Sequence, residues 1–283
     1  MTVRALVVGI GSGDPAHLTG EAVAALNAVD VFLVADKREA TRDLVALRTE
    51  LCAAVITHDR YRVVEVADPA RGPDADRDPD AYAGAVRDWH AERAHRYAEA
   101  IRREVGDDGT VGFLVWGDPS LYDSTLRVVE TVAARLAAGS RSASDGSPSG
   151  GVGGRPPSGP GVRLEVTVVP GISSVSLLAA RHRTALNRVG RPVHITTGRR
   201  LADEYDPALG DVVVMLDGDL ACAALVDANP DLTIFWGAQL GLPDEALVSG
   251  RLADVLPEIR ARRAALRAAR GWVLDTYLLR PGG

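Results

Sequence analysis

The sequence predicts an α/β protein made of two α/β domains, the first with a mostly parallel sheet and the second with a mixed sheet. In the first part of the chain, short continuous apolar runs alternate with helical stretches, as in parallel strands covered by helices on both faces. After Pro170 fewer helical stretches separate the runs, which favours a mixed sheet. With 283 residues, 46% of them hydrophobic, the chain is long enough for one large domain or two modest ones.

The first domain is predicted to cover residues 1–169. Its strands are predicted from apolar runs at 3–8, 31–35, 61–66, 111–116 and 164–169. Helical patterns lie at 19–28, 82–105 and 126–138. Thr19 is the expected N-cap of the first helix, and Glu21 lies in its first turn.

The second domain is predicted to cover residues 170–283. Strands are predicted at 194–197, 212–216, 232–236, 246–252 and 272–279, with one helix beginning at 172–174 and another at 253–269. The boundary is placed near Val169–Gly171, where an exposed linker would join two cores. Between Gly139 and Gly161, 18 of 23 residues are Gly, Ser or Pro. Because such a segment buries too little apolar surface to offset its ordering entropy, it is predicted to be a disordered surface insertion.

Charge and composition exclude several classes of function. The net charge of −6 argues against general nucleic-acid binding, which requires a basic surface. No apolar stretch approaches the roughly 20 residues of a membrane helix. The two cysteines, Cys52 and Cys222, are far apart and the six histidines do not cluster, so neither a disulfide framework nor a metal site is expected. This cysteine usage fits a reducing cytoplasm.

A glycine-rich loop, Val8-Gly-Ile-Gly-Ser-Gly-Asp-Pro15, follows the first predicted strand. A dinucleotide-binding fingerprint occurs in this context, but Asp14 stands where the third glycine of G-x-G-x-x-G belongs, and its carboxylate would repel a pyrophosphate. Asp36 is at about the right distance for the ribose-binding acid, so a nicotinamide-dependent oxidoreductase remains an alternative. A sharp strand exit with glycines at positive φ is the purely structural alternative.

A second loop, Trp116-Gly-Asp-Pro-Ser-Leu-Tyr122, follows the predicted strand at 111–116. Gly117 would let the backbone approach a ligand closely, and Asp118 could accept from hydroxyls or neutralise an ammonium group. Leu121 and Tyr122 would offer apolar surface. The structural alternative is a turn that starts a helix, with Asp118 as a local cap.

Three motifs in order, Val8–Thr19, Trp116–Tyr122 and Pro170-Gly-Ile-Ser-Ser174, resemble those of the tetrapyrrole methylases. The order and spacing match from end to end, apart from the Gly/Ser/Pro insertion. The resemblance implies S-adenosylmethionine in a cleft between the domains, a tetrapyrrole substrate and a homodimer. A finer likeness to the deacetylating branch of the family lies in Val31–Lys37, Ile56–Arg62 and Trp89-His90. Other ring-carbon methylation, at C11 or C20, and an idle member that sequesters corrinoids stay open as alternatives.

The resemblance also assigns residues to roles. The cofactor-binding residues it implies are Trp116, Gly117, Asp118, Leu121, Tyr122, Ile172, Ser173, Ser174, Met215, Leu216, Gly237 and Ala238. On the substrate side it implies Gly9, Gly11 and Gly13. Cationic groups at strand ends should receive the carboxylates of the substrate, and the candidates are Lys37, Arg38, Arg60 and Arg62. Release of an acetyl group needs a base, and the candidates, from their positions near strand ends, are Asp14, Asp36 and His58.

Overall fold

The computed structural model describes residues 1–36, 42–69, 79–106, 108–139 and 161–282, without the side chains of residues 36, 42–43 and 79–83. Almost all of the predicted insertion at 139–161 therefore lies outside the described residues, as does Lys37. The chain forms two compact units. The first contains Met1–Ile10 and Leu18–Gly171, and the second contains Gly11–His17 and Ile172–Gly283.

The first unit is a parallel sheet with helices on both faces. Its strands are β1 (Thr2–Gly9), β2 (Val31–Asp36), β3 (Arg62–Ala67), β4 (Thr110–Val115) and β5 (Arg163–Val169). Its helices are α1 (Gly20–Leu26), α2 (Arg42–Val55), α3 (Pro79–Glu104) and α4 (Thr125–Ala137). The strand order is β3-β2-β4-β1-β5, and the pairings are parallel. The predicted parallel sheet is confirmed.

Side-chain alternation along β1 explains why both faces of this sheet are covered. Val3 and Val7 pack on one face, in a core with Ile101 of α3. Val8 packs on the other face, in a core with Leu26 of α1 and residues of α2. Because each strand buries both of its faces, its sequence is a continuous apolar run.

The second unit has a mixed sheet, as predicted. Its strands are β6 (Val193–Thr197), β7 (Asp211–Met215), β8 (Thr233–Ala238), β9 (Ala246–Arg251) and β10 (Asp275–Arg280). Its helices are α5 (Ser174–His182), α6 (Gly198–Glu204) and α7 (Leu252–Arg270). In the order β6-β7-β10-β8-β9, only β6 and β7 pair in parallel within the described part of the chain. Trp236 and Tyr277 are fully buried at its centre.

Two helices were not predicted from the sequence. In α2 only Leu51 and Cys52 are fully buried among the described side chains, so its apolar stripe is short. In α6, seven residues long, Leu201 is the buried large side chain, which is too little to establish a helical period. Among the helices that the structure describes, none is both long and apolar enough to cross a bilayer.

Candidate functional site

Three glycines from the three sequence motifs meet at the carboxyl edge of the parallel sheet. Gly9 ends β1, Gly117 follows β4 and Gly171 follows β5, and these strands are neighbours in the order β4-β1-β5. A Cβ atom added to Gly9 would lie 2.6 Å from the nitrogen of Gly171 and 2.9 Å from the carbonyl oxygen of Gly117. Only glycine permits such a close approach of backbones. The fold therefore brings together motifs that are far apart in sequence.

The carboxylate of Asp118 links the loop after β4 to the segment after β5 through hydrogen bonds. Its Oδ2 accepts the N–H of Gly171 at 2.9 Å, and its Oδ1 accepts the N–H of Ser120 at 2.8 Å and also the Ser120 hydroxyl. Partial burial raises the pKa of this carboxyl, but the hydrogen bonds from Ser120 and Gly171 outweigh burial and leave the pKa below its ordinary value. Asp118 is thus held in place by protein donors, and its contact with a cofactor stays a prediction.

Three bulky residues adopt left-handed backbone conformations in or beside the predicted cofactor segments. They are Tyr122 (φ 49°), Leu216 (φ 52°) and Gln239 (φ 51°). Such φ values are strained for residues with a large side chain and cluster at ligand-binding sites. The side chains of Tyr122 and Leu216 are 44% and 64% exposed, so both present apolar surface that a ligand could cover. Nothing in the sequence indicated these conformations.

The third motif opens helix α5 with a capped N-terminus. The hydroxyl of Ser173 accepts the N–H of Ser176 at 3.1 Å and lies 3.0 Å from the Ser176 hydroxyl. Ser173 is therefore the N-cap, Ser174 begins the helix and Ile172 precedes the cap. The hydroxyl of Ser173 is engaged in capping, which is the structural alternative to cofactor binding for this residue.

The remaining predicted cofactor residues of the second unit differ in accessibility. Met215 ends β7 and is partly buried. Gly237 is enclosed, because a Cβ atom there would lie 2.8 Å from Leu240 and 2.9 Å from Leu178 side-chain carbons. Ala238 is fully buried in the core. A cofactor contact for Gly237 and Ala238 stays a prediction, and the atoms that enclose them here are protein atoms.

The first glycine loop is a compact turn. Gly11 (φ 63°) and Gly13 (φ 98°) both adopt conformations that favour glycine. Asp14 Oδ1 accepts the N–H of Ala16 at 2.9 Å, and the ring Nδ1 of His17 lies 2.8 Å from the Ser12 hydroxyl. The backbone conformation of this turn therefore accounts for the glycines at these two positions.

His58, a predicted base, has both ring nitrogens engaged. Nε2 lies 2.9 Å from the carbonyl oxygen of Asn27, and Nδ1 accepts the N–H of Arg60 at 3.3 Å. The ring therefore holds a turn and offers no free lone pair in this conformation. For Asp36 the structure describes only the backbone, at the end of β2, so its side chain lies outside the described part.

The predicted cationic residues separate into different environments. Lys37 and Arg38 lie outside the described residues. Arg60 is exposed at the turn before β3. Arg62, at the start of β3, donates to the Glu104 carboxylate at 3.1 Å and to the Glu104 carbonyl at 2.7 Å, so it fastens the strand to the end of α3.

Two side chains beside Trp116 were missed by the sequence analysis. Arg48 places its guanidinium carbon 5.1 Å from the centroid of the Trp116 ring, and Tyr97 packs against Phe113 with ring centroids 5.4 Å apart. Arg48 stands four residues from both Leu44 and Cys52, so it interrupts the apolar face of α2. Had α2 been predicted from the sequence, the charged residue on its apolar face would have identified Arg48 as a candidate site residue.

Comparison with known proteins gives a consistent result. The family model described as Tetrapyrrole (Corrin/Porphyrin) Methylases matches residues 5–139 and 160–256. A protein of Sinorhizobium sp. named precorrin-6A synthase [deacetylating] is 42% identical over 279 residues, which cover 99% of this chain and 95% of that protein.

Solved structures agree with this match. A cobalamin-synthesis-related protein from Corynebacterium diphtheriae has a TM-score of 0.75 and 34% identity, with 99% of each chain covered. Uroporphyrin-III C-methyltransferase from Thermus thermophilus, solved with S-adenosyl homocysteine, has a TM-score of 0.54 and 19% identity, with 98% of this chain and 96% of that chain covered. At that identity the second likeness shows the fold alone.

Proposed function

Since the chain belongs to the tetrapyrrole (corrin/porphyrin) methylase family, we propose that it methylates precorrin-5 at ring carbon C1 and releases the acetyl group as acetate, giving precorrin-6A. The chain is a methyltransferase, and the proposal specifies its substrate and ring carbon. Its support is the 42% identity, over nearly the whole chain, to a protein named for the deacetylating reaction. The methyl donor we propose is S-adenosylmethionine.

The meeting of Gly9, Gly117 and Gly171 is the observation that carries the cofactor site in this proposal. It aligns the three motifs at the carboxyl edge of a parallel sheet, where α/β proteins bind ligands. The backbone at Gly117 (φ 66°) is free of a side chain that would block a ligand. In the same unit, exposed Tyr122 offers apolar surface to an adenine ring or a sulfonium. These residues fit S-adenosylmethionine.

For methyl transfer, the main task of the protein is to position the methyl donor and the substrate. S-Adenosylmethionine, when bound, supplies a methyl group that is already activated by the sulfonium. The residues of this chain would orient the donor and exclude water from the methyl group. Asp118 contributes by holding the Trp116–Tyr122 loop to Gly171.

Acetyl release additionally needs water or hydroxide to attack the acetyl carbonyl, with a base to accept a proton. Of the two base candidates whose side chains are described, His58 has both nitrogens engaged. Asp14 accepts one hydrogen bond, at Oδ1, and its Oδ2 has no partner in the described part of the chain. Asp14 is therefore the base that we propose.

The reaction can be tested by incubating the purified protein with S-adenosylmethionine and precorrin-5. We expect a product whose mass shows gain of one methyl group together with loss of the acetyl group, and one acetate released per product. Methylation at C11 or C20 would add the methyl group without acetate, and that result would contradict the proposal.

The cofactor site can be tested separately by calorimetry. Because Asp118 orients the loop, Asp118→Ala should weaken S-adenosylmethionine binding by about tenfold or more, the value of a lost charge-assisted hydrogen bond. Asp59→Ala, at an exposed position, is the matched control. Equal affinity of Asp118→Ala and the control would rule out this loop as the cofactor site.

We also propose a cytoplasmic location and a homodimer. Cys52 and Cys222 are free and buried, and burial raises the pKa of these thiols to about 11 and about 12. Inert, unpaired thiols suit a reducing compartment.

Val166 and Val168 on the edge strand β5 are 43% and 44% exposed, which supports a surface for the second copy of the chain there. Light scattering that gives the mass of one chain would contradict the dimer.

A further inference from the structure

A cavity of about 150 Å³ lies inside the first unit, next to the end of strand β4. Its polar side chains are Arg48 of α2, Arg93 and Tyr97 of α3, and Trp116, Asp123 and Thr125 after β4. The rest of its wall is aliphatic or aromatic. A cavity whose wall combines apolar side chains with a few convergent polar groups is a common form of small-ligand site.

Arg48 is the unusual group in this wall. In the part of the chain that the structure describes, no carboxylate oxygen lies within 4.0 Å of its guanidinium nitrogens. Burial removes much of its hydration and lowers its pKa, although Tyr97 and Asp123 act in the opposite direction. Its guanidinium carbon lies over the Trp116 ring, 5.1 Å from the ring centroid. A partly buried cation without a paired anion is costly unless a ligand supplies the anion.

The other charges at the cavity are already engaged. Arg93 forms two hydrogen bonds with the Asp68 carboxylate, at 2.8 and 2.7 Å, and its guanidinium lies 4.0 Å from the ring centroid of Trp89. Asp123 uses Oδ1 to accept the N–H of Thr125 at 2.6 Å. Arg48 is therefore the cation in this wall with unused hydrogen-bond donors, while Asp123 would oppose an entering anion.

The second unusual group at the cavity is the indole N–H of Trp116. Its indole Nε1 is shielded from solvent and has no hydrogen-bond partner among the described residues. A buried donor left unpaired costs free energy and calls for an explanation. Tyr97 lines the same cavity and carries a hydroxyl that can donate. The guanidinium of Arg48 and the phenol hydroxyl of Tyr97 can both donate to a carboxylate in the cavity.

We propose that this cavity binds a carboxylate, with Arg48 as its counter-ion and with Trp116, whose ring faces the Arg48 guanidinium, in its wall. The volume corresponds to about five water-sized groups, enough for an acetate or propionate group and too small for a tetrapyrrole ring. The carboxylate is either that of a short acidic side chain on the tetrapyrrole or free acetate. The identity of the ligand rests on the proposed function, whereas the preference for a carboxylate rests on the cavity alone.

The cavity can be probed with acetate alone, without any catalytic assay. Indole ¹⁵N labelling gives one N–H resonance per tryptophan, and the Trp116 resonance is assigned from Trp116→Phe. Titration with sodium acetate, against sodium chloride at equal ionic strength, should move the Trp116 resonance saturably with acetate only. Arg48→Met should weaken this binding by about tenfold or more, and Asp123→Asn should strengthen it. Arg127→Met, exposed on α4, is the control and should bind as the parent does.

A second measurement identifies the source of the carboxylate. If a side chain of the tetrapyrrole occupies the cavity, Arg48→Met should raise KM for precorrin-5 at least about tenfold and leave kcat nearly unchanged, while Arg127→Met changes neither. An acetate response that depends on Arg48, without an effect on KM, assigns the cavity to free acetate. An effect on KM, with or without an acetate response, assigns it to the substrate side chain.

The proposal is overturned if Arg48→Met alters neither the acetate response nor KM, or if chloride moves the Trp116 resonance as acetate does. Failure of the proposed function is a separate result. A protein that does not methylate precorrin-5 could still show the acetate response, because that titration involves no turnover.

Discussion

Two partly or fully buried arginines, Arg263 in the second unit and Arg48 in the first, differ in how completely their donors are paired. Arg263 on α7 donates from Nε to Asp275 at 2.9 Å, and from its terminal nitrogens to the carbonyls of Gly218 at 2.8 Å and Asp217 at 2.5 Å. The guanidinium of Arg48 lies over the face of the Trp116 ring. The same residue type is thus fully paired in one unit and lacks a paired anion among the described residues in the other.

The charged groups around Arg263 form hydrogen bonds with one another and with neighbouring protein groups. Asp275 Oδ2 also accepts the indole N–H of Trp236 at 2.9 Å. Asp217 Oδ2 accepts the hydroxyl of Tyr277 at 2.5 Å and the N–H of Ala221 at 2.8 Å. These bonds hold the backbone immediately after the left-handed Leu216. A fully paired buried network fixes structure, whereas an unpaired buried donor keeps the capacity to bind a ligand at some cost in stability.

The largest effect should come from breaking this network around Arg263. Arg263→Met leaves the Asp275 carboxylate buried without its cation, which should cost about 3–5 kcal/mol of unfolding free energy, measured by urea denaturation. Arg262→Met is the control on the same helix. Its side chain is exposed and pairs with Glu258, so the change should stay within about 0.5 kcal/mol. Similar losses in both variants would contradict the importance of the network.

A smaller loss is expected from Tyr277→Phe. The variant removes one donor from Asp217 Oδ2, which keeps the N–H of Ala221, so the cost should be about 1–3 kcal/mol by the same denaturation. Tyr205→Phe is a matched control, since the buried Tyr205 hydroxyl has no partner in the described residues. It should leave stability unchanged or slightly higher. A control that loses as much as Tyr277→Phe would show that the cost comes from packing.

Arg48→Met should change stability in the opposite direction. Removal of a cation without a paired anion relieves a desolvation cost, and methionine keeps much of the aliphatic packing, so unfolding free energy should stay level or rise by up to about 1 kcal/mol. Chemical denaturation in a buffer without carboxylate ions measures this. A loss as large as that of Arg263→Met would mean that Arg48 has a structural role after all.

Asp118 should give the smallest effect, and the dependence of stability on pH shows it most directly. Because the pKa of its carboxyl is lower in the folded protein, it contributes stability above the pKa of the unfolded chain and loses that contribution as pH falls through the folded pKa. Asp118→Asn should therefore flatten part of the acid limb of the stability curve, unlike Asp59→Asn. Parallel acid limbs for the parent and Asp118→Asn would contradict the hydrogen-bonded arrangement.

Much of the fold could be predicted because it depends on local patterns. The strand at 31–35 lies within β2 and the one at 164–169 lies within β5, since strands buried on both faces are continuous apolar runs. Helix α2 was missed because Arg48 interrupts its apolar stripe. The strand predicted to begin at Trp272 begins at Asp275, because hydrophobicity alone does not set where pairing starts.

The candidate site was predictable in its motifs and unpredictable in its contacts. Gly9, Gly117 and the segment that contains Gly171 were singled out from sequence, but their mutual approach depends on strand order. The left-handed conformations of Tyr122 and Leu216 have no sequence signal, because such strain is imposed by surrounding structure. The pairing of both His58 nitrogens is likewise a tertiary result.

By itself, the sequence determined the family, the α/β class and the three motif loops, since these follow from residue type, periodicity and spacing along the chain. Only the tertiary structure decided which charged and polar groups are paired. Arg48 and Arg263 are equivalent in a sequence, and the free energy of each depends on partners that lie far away along the chain. Pairing therefore separates the arginine that stabilises the fold from the one that we propose binds a ligand.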